Sequence, residues 1–85
     1  MRSMTDITPL PPLDVDGSTV GPGDRVVIIR ISDWLTHDLP AEDQNALRAF
    51  EGKTMTIHEI DKFGYVWFST PQRDFCVRPE EVRRN

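Results

Sequence analysis

The most reactive side chains of this chain are those of its one cysteine, Cys76, and its two histidines, His37 and His58. Zinc sites need cysteine and histidine ligands at short, repeated spacings, and these three residues show no such spacing. A catalytic relay needs a nucleophile, a base and an orienting group within hydrogen-bond distance. His58 precedes Glu59 on a predicted strand, where adjacent side chains point to opposite faces unless a bulge intervenes. The sequence therefore predicts no metal site, no cofactor and no enzymatic activity.

Cys76 is expected to be a half-buried structural residue. Its thiol would be reactive only if a cation lowered its pKa, and Arg78, two residues further along the strand, is the candidate cation. A lone cysteine cannot form an internal disulfide, which fits a reducing compartment. The N-terminus lacks the apolar run of a signal peptide, and no stretch is long enough to span a membrane. We therefore expect a cytoplasmic protein.

Carboxylates cluster around Trp34, at Asp33, Asp38, Glu42 and Asp43. Such an acidic rim suits a basic or amine-bearing partner. The alternative is that these residues cap a helix and form a solvated face, because Asp and Glu favour the first turn of helices. No loop has the spacing of a calcium site, and the glycine-rich segment 17–23 has no P-loop lysine.

The formal net charge of −4 argues against nonspecific binding to nucleic acid, because an acidic surface repels a phosphate backbone. A small barrel can still bind single strands when cations surround exposed aromatic rings. The residues available for that alternative are Lys53, Lys62, Arg73 and Arg78.

The elements that position these groups centre on residues 53–69, which predict two strands joined by a turn at residues 61–64. Met55 and Ile57 share one face of the first strand, but Ile60 falls on the opposite parity. A slip of one residue would turn the apolar face outward, so we expect a bulge or sharp bend near residues 58–60.

The second strand of this hairpin has two apolar faces. Val66 and Phe68 are predicted to face the core, which leaves Tyr65 and Trp67 on the outer face. Exposed aromatic side chains that share a face commonly mark a partner site. Alternatively, a helix or the N-terminal segment covers them and makes a second small core.

Further predicted elements are a strand at 25–31, a polar loop at 32–38, a helix at 38–52 capped by Asp38, a strand at 74–77 and a helical turn at 79–82.

Residues 1–22 contain four of the seven prolines and show no periodicity, which is typical of a flexible arm. Pro9 and Pro12 have the P-x-x-P spacing that docks on aromatic grooves. The arm could instead fold back on the aromatic surface of its own domain, or bind another protein.

The order of these elements resembles that of SH3-like barrels, in which a long excursion follows the first strand. The chain also resembles the SH3-like domain of the nitrile hydratase β-subunit and related electron-transfer accessory proteins. This resemblance is carried by the segments 23–26 (Gly-Asp-Arg-Val), 39–40 (Leu-Pro) and 52–54 (Gly-Lys-Thr). It implies a mainly-β fold, a small SH3-like barrel of about five strands spanning residues 23–85, with one short helix in the excursion.

The function predicted from the sequence is a non-enzymatic protein-interaction or accessory module. It is expected to be monomeric, to bind an unknown protein partner, and to associate with neither nucleic acid nor membranes. The alternatives are a nucleic-acid-binding small barrel and an accessory subunit of a larger enzyme. The predicted partner-binding residues are Trp34, Tyr65, Trp67, Asp33, Asp38 and Glu42.

Overall fold

Two small antiparallel sheets contain most of the regular secondary structure in the computed structural model, which describes residues 9–85. The first sheet has the strand order β2-β1-β6 and the second has the order β3-β4-β5. The mainly-β prediction is confirmed. Closure into an SH3-like barrel stays a prediction, because the hydrogen-bonded ladders form two separate sheets. The elements in chain order are β1 (Arg25–Ile28), α1 (Asp33–Thr36), α2 (Ala41–Arg48), β2 (Thr54–Thr56), β3 (Glu59–Ile60), β4 (Val66–Ser69), β5 (Asp74–Val77), a 3-10 turn (Pro79–Glu81) and β6 (Val82–Arg84).

The core lies between the inner faces of the two sheets and follows the predicted alternation of side chains. In β4, Val66 and Phe68 are fully buried, and their neighbours on β5 are Val77 and Phe75. The rings of Phe68 and Phe75 lie 5.4 Å apart, which is a favourable distance for an aromatic pair. The buried apolar residues are Val20, Val26, Ile28, Ile31, Leu47, Ile57, Val66, Phe68, Phe75, Val77 and Val82.

A bend between Ile57 and His58 carries the chain from the first sheet into the second. The amide of Ile57 donates to the carbonyl of Asp24 at 2.9 Å, beside β1. The next amide, that of His58, donates to the carbonyl of Trp67 at 2.8 Å on β4. The expected break in alternation is therefore a sharp bend, which keeps Ile57 in the core while the following residues change sheets.

The helical region differs from the prediction in two respects. The predicted polar loop at 32–38 contains the one-turn helix α1, and α2 begins at Ala41 with Pro40 in the N-cap position. Asp38 is therefore not the cap, and that prediction was wrong. Proline disfavours helical backbone in the residue before it, so the helix cannot extend back through Leu39 to Asp38. One face of α2 is buried, through Leu47.

Residues 9–22, the described part of the predicted N-terminal arm, contact the two sheets. Val20 is 3% exposed, and two backbone hydrogen bonds of 2.9 Å join Leu10 to Phe63 and Val15 to Val82. The remainder of the predicted arm, residues 1–8, lies outside the described residues.

A buried carboxylate holds this segment in place. Asp14 is 5% exposed, and its Oδ1 accepts hydrogen bonds from the amides of Asp16 at 2.9 Å and Ser18 at 2.8 Å. Its Oδ2 accepts the amide of Arg84 at 2.7 Å, on the edge strand β6. The bond from Arg84 is the main reason that the pKa of Asp14 lies below the usual 3.8, although burial opposes the shift. Asp14 therefore closes a tight turn and ties it to the last strand.

Candidate functional site

The outer face of the second sheet carries Trp67 at its centre. Trp67 lies opposite Glu59 on β3 and Cys76 on β5. Tyr65 directly precedes β4 and is half-buried like Trp67, whereas Val66 between them is fully buried. The two aromatic side chains are therefore on the face away from the core, as the alternation in the sequence indicates.

Helix α1 adds Trp34 to this face. The ring centroids of Trp34 and Tyr65 lie 5.6 Å apart at an interplanar angle of 41°, and the guanidinium carbon of Arg78 lies 5.7 Å from the Trp34 ring. These distances allow an aromatic pair and a cation–π contact on the same indole. We call Trp34, Tyr65 and Arg78 the aromatic platform. Trp34 remains 36% exposed, so part of its indole is available to a partner.

The Asp61 carboxylate fixes the turn before β4 and the side chain of Trp67 on the outer face. Its Oδ1 accepts the amides of Phe63 at 2.9 Å and Tyr65 at 3.0 Å, and its Oδ2 accepts the indole N–H of Trp67 at 2.9 Å. Burial alone would raise the pKa of Asp61, but the hydrogen bonds, led by that from Trp67, outweigh it and lower the pKa below 3.8. Trp67 is therefore a fixed part of the framework. Aspartate opening a four-residue turn that ends in glycine is a recognisable turn signal, but it did not indicate the bond to Trp67.

The turn at residues 61–64 is covered by the N-terminal segment. Gly64 is buried and has a φ of +91°, and a Cβ built on it would lie 2.5 Å from the carbonyl oxygen of Leu10. Leu10 therefore lies directly on the turn. Tyr65, the next residue after the turn, is half-buried and packs against Trp34 of α1, which is the more exposed of the two rings.

Two carboxylates of the predicted acidic rim lie next to basic side chains. Asp33 accepts Arg48 Nη2 at 2.6 Å, and Asp38 Oδ2 lies 3.2 Å from His37 Nε2. Exposed pairs of this kind contribute little to stability, so they can exchange with a partner's charges at low cost. Glu42 is exposed in the first turn of α2, and no hydrogen bond or ion pair among residues 9–85 joins it to the platform. Asp33 is thus the rim carboxylate that lies next to the platform in the chain.

Cys76 is a poor nucleophile at neutral pH. Burial raises the pKa of its thiol to about 11, with added contributions from the carboxylates of Asp61 and Glu81. His58 Nε2 lies 3.9 Å from Glu59 Oε1, because the bend before His58 lets these adjacent side chains approach each other. Both are exposed, so this is a surface pair. Within residues 9–85 no group of three or more potential ligands could hold a metal ion.

The cations considered for nucleic-acid binding are distributed among several elements. Lys62 Nζ lies 5.2 Å from the ring of Phe63, and Lys53 Nζ lies 5.6 Å from the ring of Phe50. Arg73 Nη2 pairs with Asp43 Oδ1 at 2.9 Å. Arg78 belongs to the platform. The four side chains therefore do not form a continuous basic stripe.

Comparison with known proteins identifies no relative of this chain: no family model, no curated protein and no solved structure matches it. In the part of the chain that the structure describes, no helix has the length and apolar character needed to cross a membrane. The geometry of the aromatic platform therefore carries the functional interpretation.

Proposed function

We propose that this protein is a non-enzymatic protein-interaction module that docks a partner protein on the aromatic platform. The observation that carries the proposal is the position of Trp34, which is 36% exposed while its ring contacts both Tyr65 and Arg78. Tryptophan, tyrosine and arginine dominate the binding energy of protein interfaces, because they bury a large area and combine apolar and polar contacts.

The platform is held rigidly by one buried carboxylate. Glu81 is 2% exposed, and its Oε1 accepts the amide of Arg78 at 2.9 Å. Its Oε2 accepts the hydroxyl of Ser32, the residue that precedes α1. Glu81 therefore links the backbone of Arg78 to the side chain of Ser32, on the two sides of the Trp34–Arg78 contact. A surface ordered before binding loses less conformational entropy when a partner docks, which favours affinity.

An SH3-like barrel is the fold that we propose for this module. Between β1 and β2 the chain makes a long excursion containing α1 and α2, and a 3-10 turn precedes β6. The same order of elements underlies the resemblance of the sequence to SH3-like domains.

The proposal is tested by capturing partners from a native cell extract with the full chain and with Trp34→Ala. Loss of a hot-spot tryptophan costs about 2 kcal/mol or more of binding free energy, so capture of a specific partner should fall at least about thirtyfold. Phe63→Ala is the matched control, because Phe63 is a similarly exposed aromatic residue (41%) outside the platform. Far-ultraviolet circular dichroism should show that both variants keep the wild-type secondary structure. A partner that the Trp34→Ala variant retains at wild-type affinity would contradict the proposal.

A further inference from the structure

A concave surface separate from the aromatic platform lies between α2 and the turn that joins β4 to β5. It is a groove of about 200 Å³. One wall and the floor come from the end of α2 and the residues just after it, and the other wall comes from the turn. We call it the α2 groove. Its lining residues include Ala46, Ala49, Phe50, Lys53, Thr70 and Arg73.

The groove is preformed because both of its walls are fixed. The Phe50 ring lies 5.0 Å from that of Phe75, which is 3% exposed and belongs to the core. In the turn, the Thr70 hydroxyl donates to the carbonyl of Arg73 at 2.6 Å and accepts its amide at 3.1 Å. The 2.9 Å ion pair between Arg73 and Asp43 then ties the turn to α2.

The size of the groove suits one large side chain. Pockets for small-molecule ligands usually have volumes of about 300–1,000 Å³, and this groove is smaller. The space exists because the helix presents the small residues Ala46 and Ala49 beside Phe50. An apolar side chain inserted there would bury its surface against methyl groups and an aromatic ring, which is favourable in water.

The charge at the edge of the groove determines which residues of the partner can lie beside the inserted side chain. Lys53 Nζ lies 5.6 Å from the Phe50 ring, and Lys53 takes part in no salt bridge among residues 9–85. Arg73 and Asp43 neutralise each other. The edge of the groove therefore carries one unbalanced positive charge on a protein whose net charge is −4. A carboxylate beside the inserted side chain would complement it.

We propose that the α2 groove binds a large apolar side chain from an acidic segment of another protein, with the Lys53 ammonium pairing a flanking carboxylate of that segment. This site shares no residue with the aromatic platform, so it is a second docking surface. One apolar anchor and one exposed ion pair provide weak binding, with a dissociation constant of about 0.1–1 mM for an isolated peptide.

The test is a titration of the ¹⁵N-labelled full chain, followed by amide spectra. The probe is a capped pentapeptide with a central leucine and two glutamates on each side. The amides of residues 46–53 and 70–73 should shift and saturate. A peptide with lysines in place of the glutamates, or with alanine in place of the leucine, should bind at least about tenfold more weakly.

Two variants and their controls locate the binding in the groove. Lys53→Glu should weaken binding about tenfold, whereas Lys62→Glu, the other lysine over a phenylalanine ring (5.2 Å), should leave it unchanged. Ala49→Phe should fill the groove and abolish binding, with denaturation curves checking that the variant is folded. Trp34→Ala should have no effect on peptide binding in the groove. A failure of this inference can therefore be distinguished from a failure of the proposed function.

Three outcomes would overturn the inference. The first is a set of peptide-induced shifts centred outside the groove, or no shifts at millimolar peptide. The second is equal binding of the glutamate and lysine peptides. The third is concentration-dependent shifts of the groove amides without peptide, which would identify a second copy of this chain as the occupant.

Discussion

Two turns in this molecule use the same chemical device, an aspartate whose carboxylate accepts three hydrogen bonds. Asp14 binds the amides of Asp16 and Ser18 and, across the molecule, the amide of Arg84. Asp61 binds two nearby amides and the indole N–H of Trp67. Both carboxylates have a lowered pKa because the ionised form accepts these bonds.

The two turns differ in the group that donates the third hydrogen bond to the carboxylate. The Asp14 bond spans 70 residues of sequence and joins the N-terminal segment to β6. The Asp61 bond spans six residues and fixes the side chain of Trp67 on the outer face. One carboxylate therefore closes the fold, whereas the other fixes a side chain on the outer face of the second sheet. The same local motif acts across the molecule or locally, according to the group that its Oδ2 binds.

The largest effect is expected where the two regions meet, at Gly64. Gly64→Ala places a methyl group 2.5 Å from the Leu10 carbonyl oxygen, at a φ of +91°. Backbone strain and displacement of the N-terminal segment should together lower the free energy of unfolding by about 3–4 kcal/mol. Gly52→Ala is the matched control, because its φ is +84° and nothing lies within 4 Å of the added methyl group. It should cost about 1–2 kcal/mol. Equal losses in urea denaturation would mean that the segment does not lie tightly on the turn.

Next in size is the contrast between the two aspartates themselves. Asp14→Ala removes a carboxylate that is 5% exposed and accepts three amides, so it should lower the free energy of unfolding by about 3 kcal/mol. Asp61→Ala should cost about 1–2 kcal/mol, because Asp61 is only half-buried and water can replace its carboxylate. The Asp61→Ala variant should also show altered near-ultraviolet circular dichroism from Trp67. An identical spectrum would contradict the role of Asp61 in fixing the Trp67 side chain.

A smaller effect is the pH dependence that both carboxylates share. Each folded-state pKa lies below 3.8, so each group stabilises the fold above that pH, and the stabilisation is lost as the pH falls through the folded-state pKa. Urea midpoints should therefore decline below pH 4. The decline should be shallower for Asp14→Asn and for Asp61→Asn than for the wild type. An unchanged slope in either variant would show that its carboxylate does not contribute to the acid sensitivity.

The prediction with the smallest consequence for stability concerns the reactivity of the Cys76 thiol. With a pKa of about 11 in place of 9.0, the thiolate fraction at pH 8 is about a hundredfold below that of an ordinary cysteine. Alkylation by iodoacetamide should therefore be slow in the native state and fast in urea. Asp61→Asn removes one of the negative charges that raise this pKa, so the thiol should titrate at lower pH than in the wild type. A native alkylation rate equal to the unfolded rate would contradict the half-buried position of Cys76.

The features that could be predicted from the sequence are those that depend on residues close together in the chain. Alternation placed Val66 and Phe68 in the core and Tyr65 and Trp67 on the outer face, and the slip at Ile60 indicated the bend. Each of these inferences uses the period of a strand, which a short window of sequence contains.

Contacts between distant segments were not predictable in the same way. The 70-residue bond from Asp14 to Arg84 has no signature in local periodicity, and an acidic, proline-rich segment has the composition of a flexible arm. The start of α2 was misplaced because Asp38 is a favourable capping residue, whereas the restriction that Pro40 imposes on Leu39 decides the boundary. Trp34 was recognised as a candidate, but its contacts with Tyr65 and Arg78 follow from tertiary packing.

The bend between Ile57 and His58 also bears on how the molecule opens. One uninterrupted length of backbone gives its amides to β1 on one side of the bend and to β4 on the other. Thermal opening of either sheet would therefore disturb the hydrogen bonds of the other sheet at this bend. Native-state hydrogen exchange should show a single cooperative unit, in which the slowest amides of both sheets report the same free energy of opening.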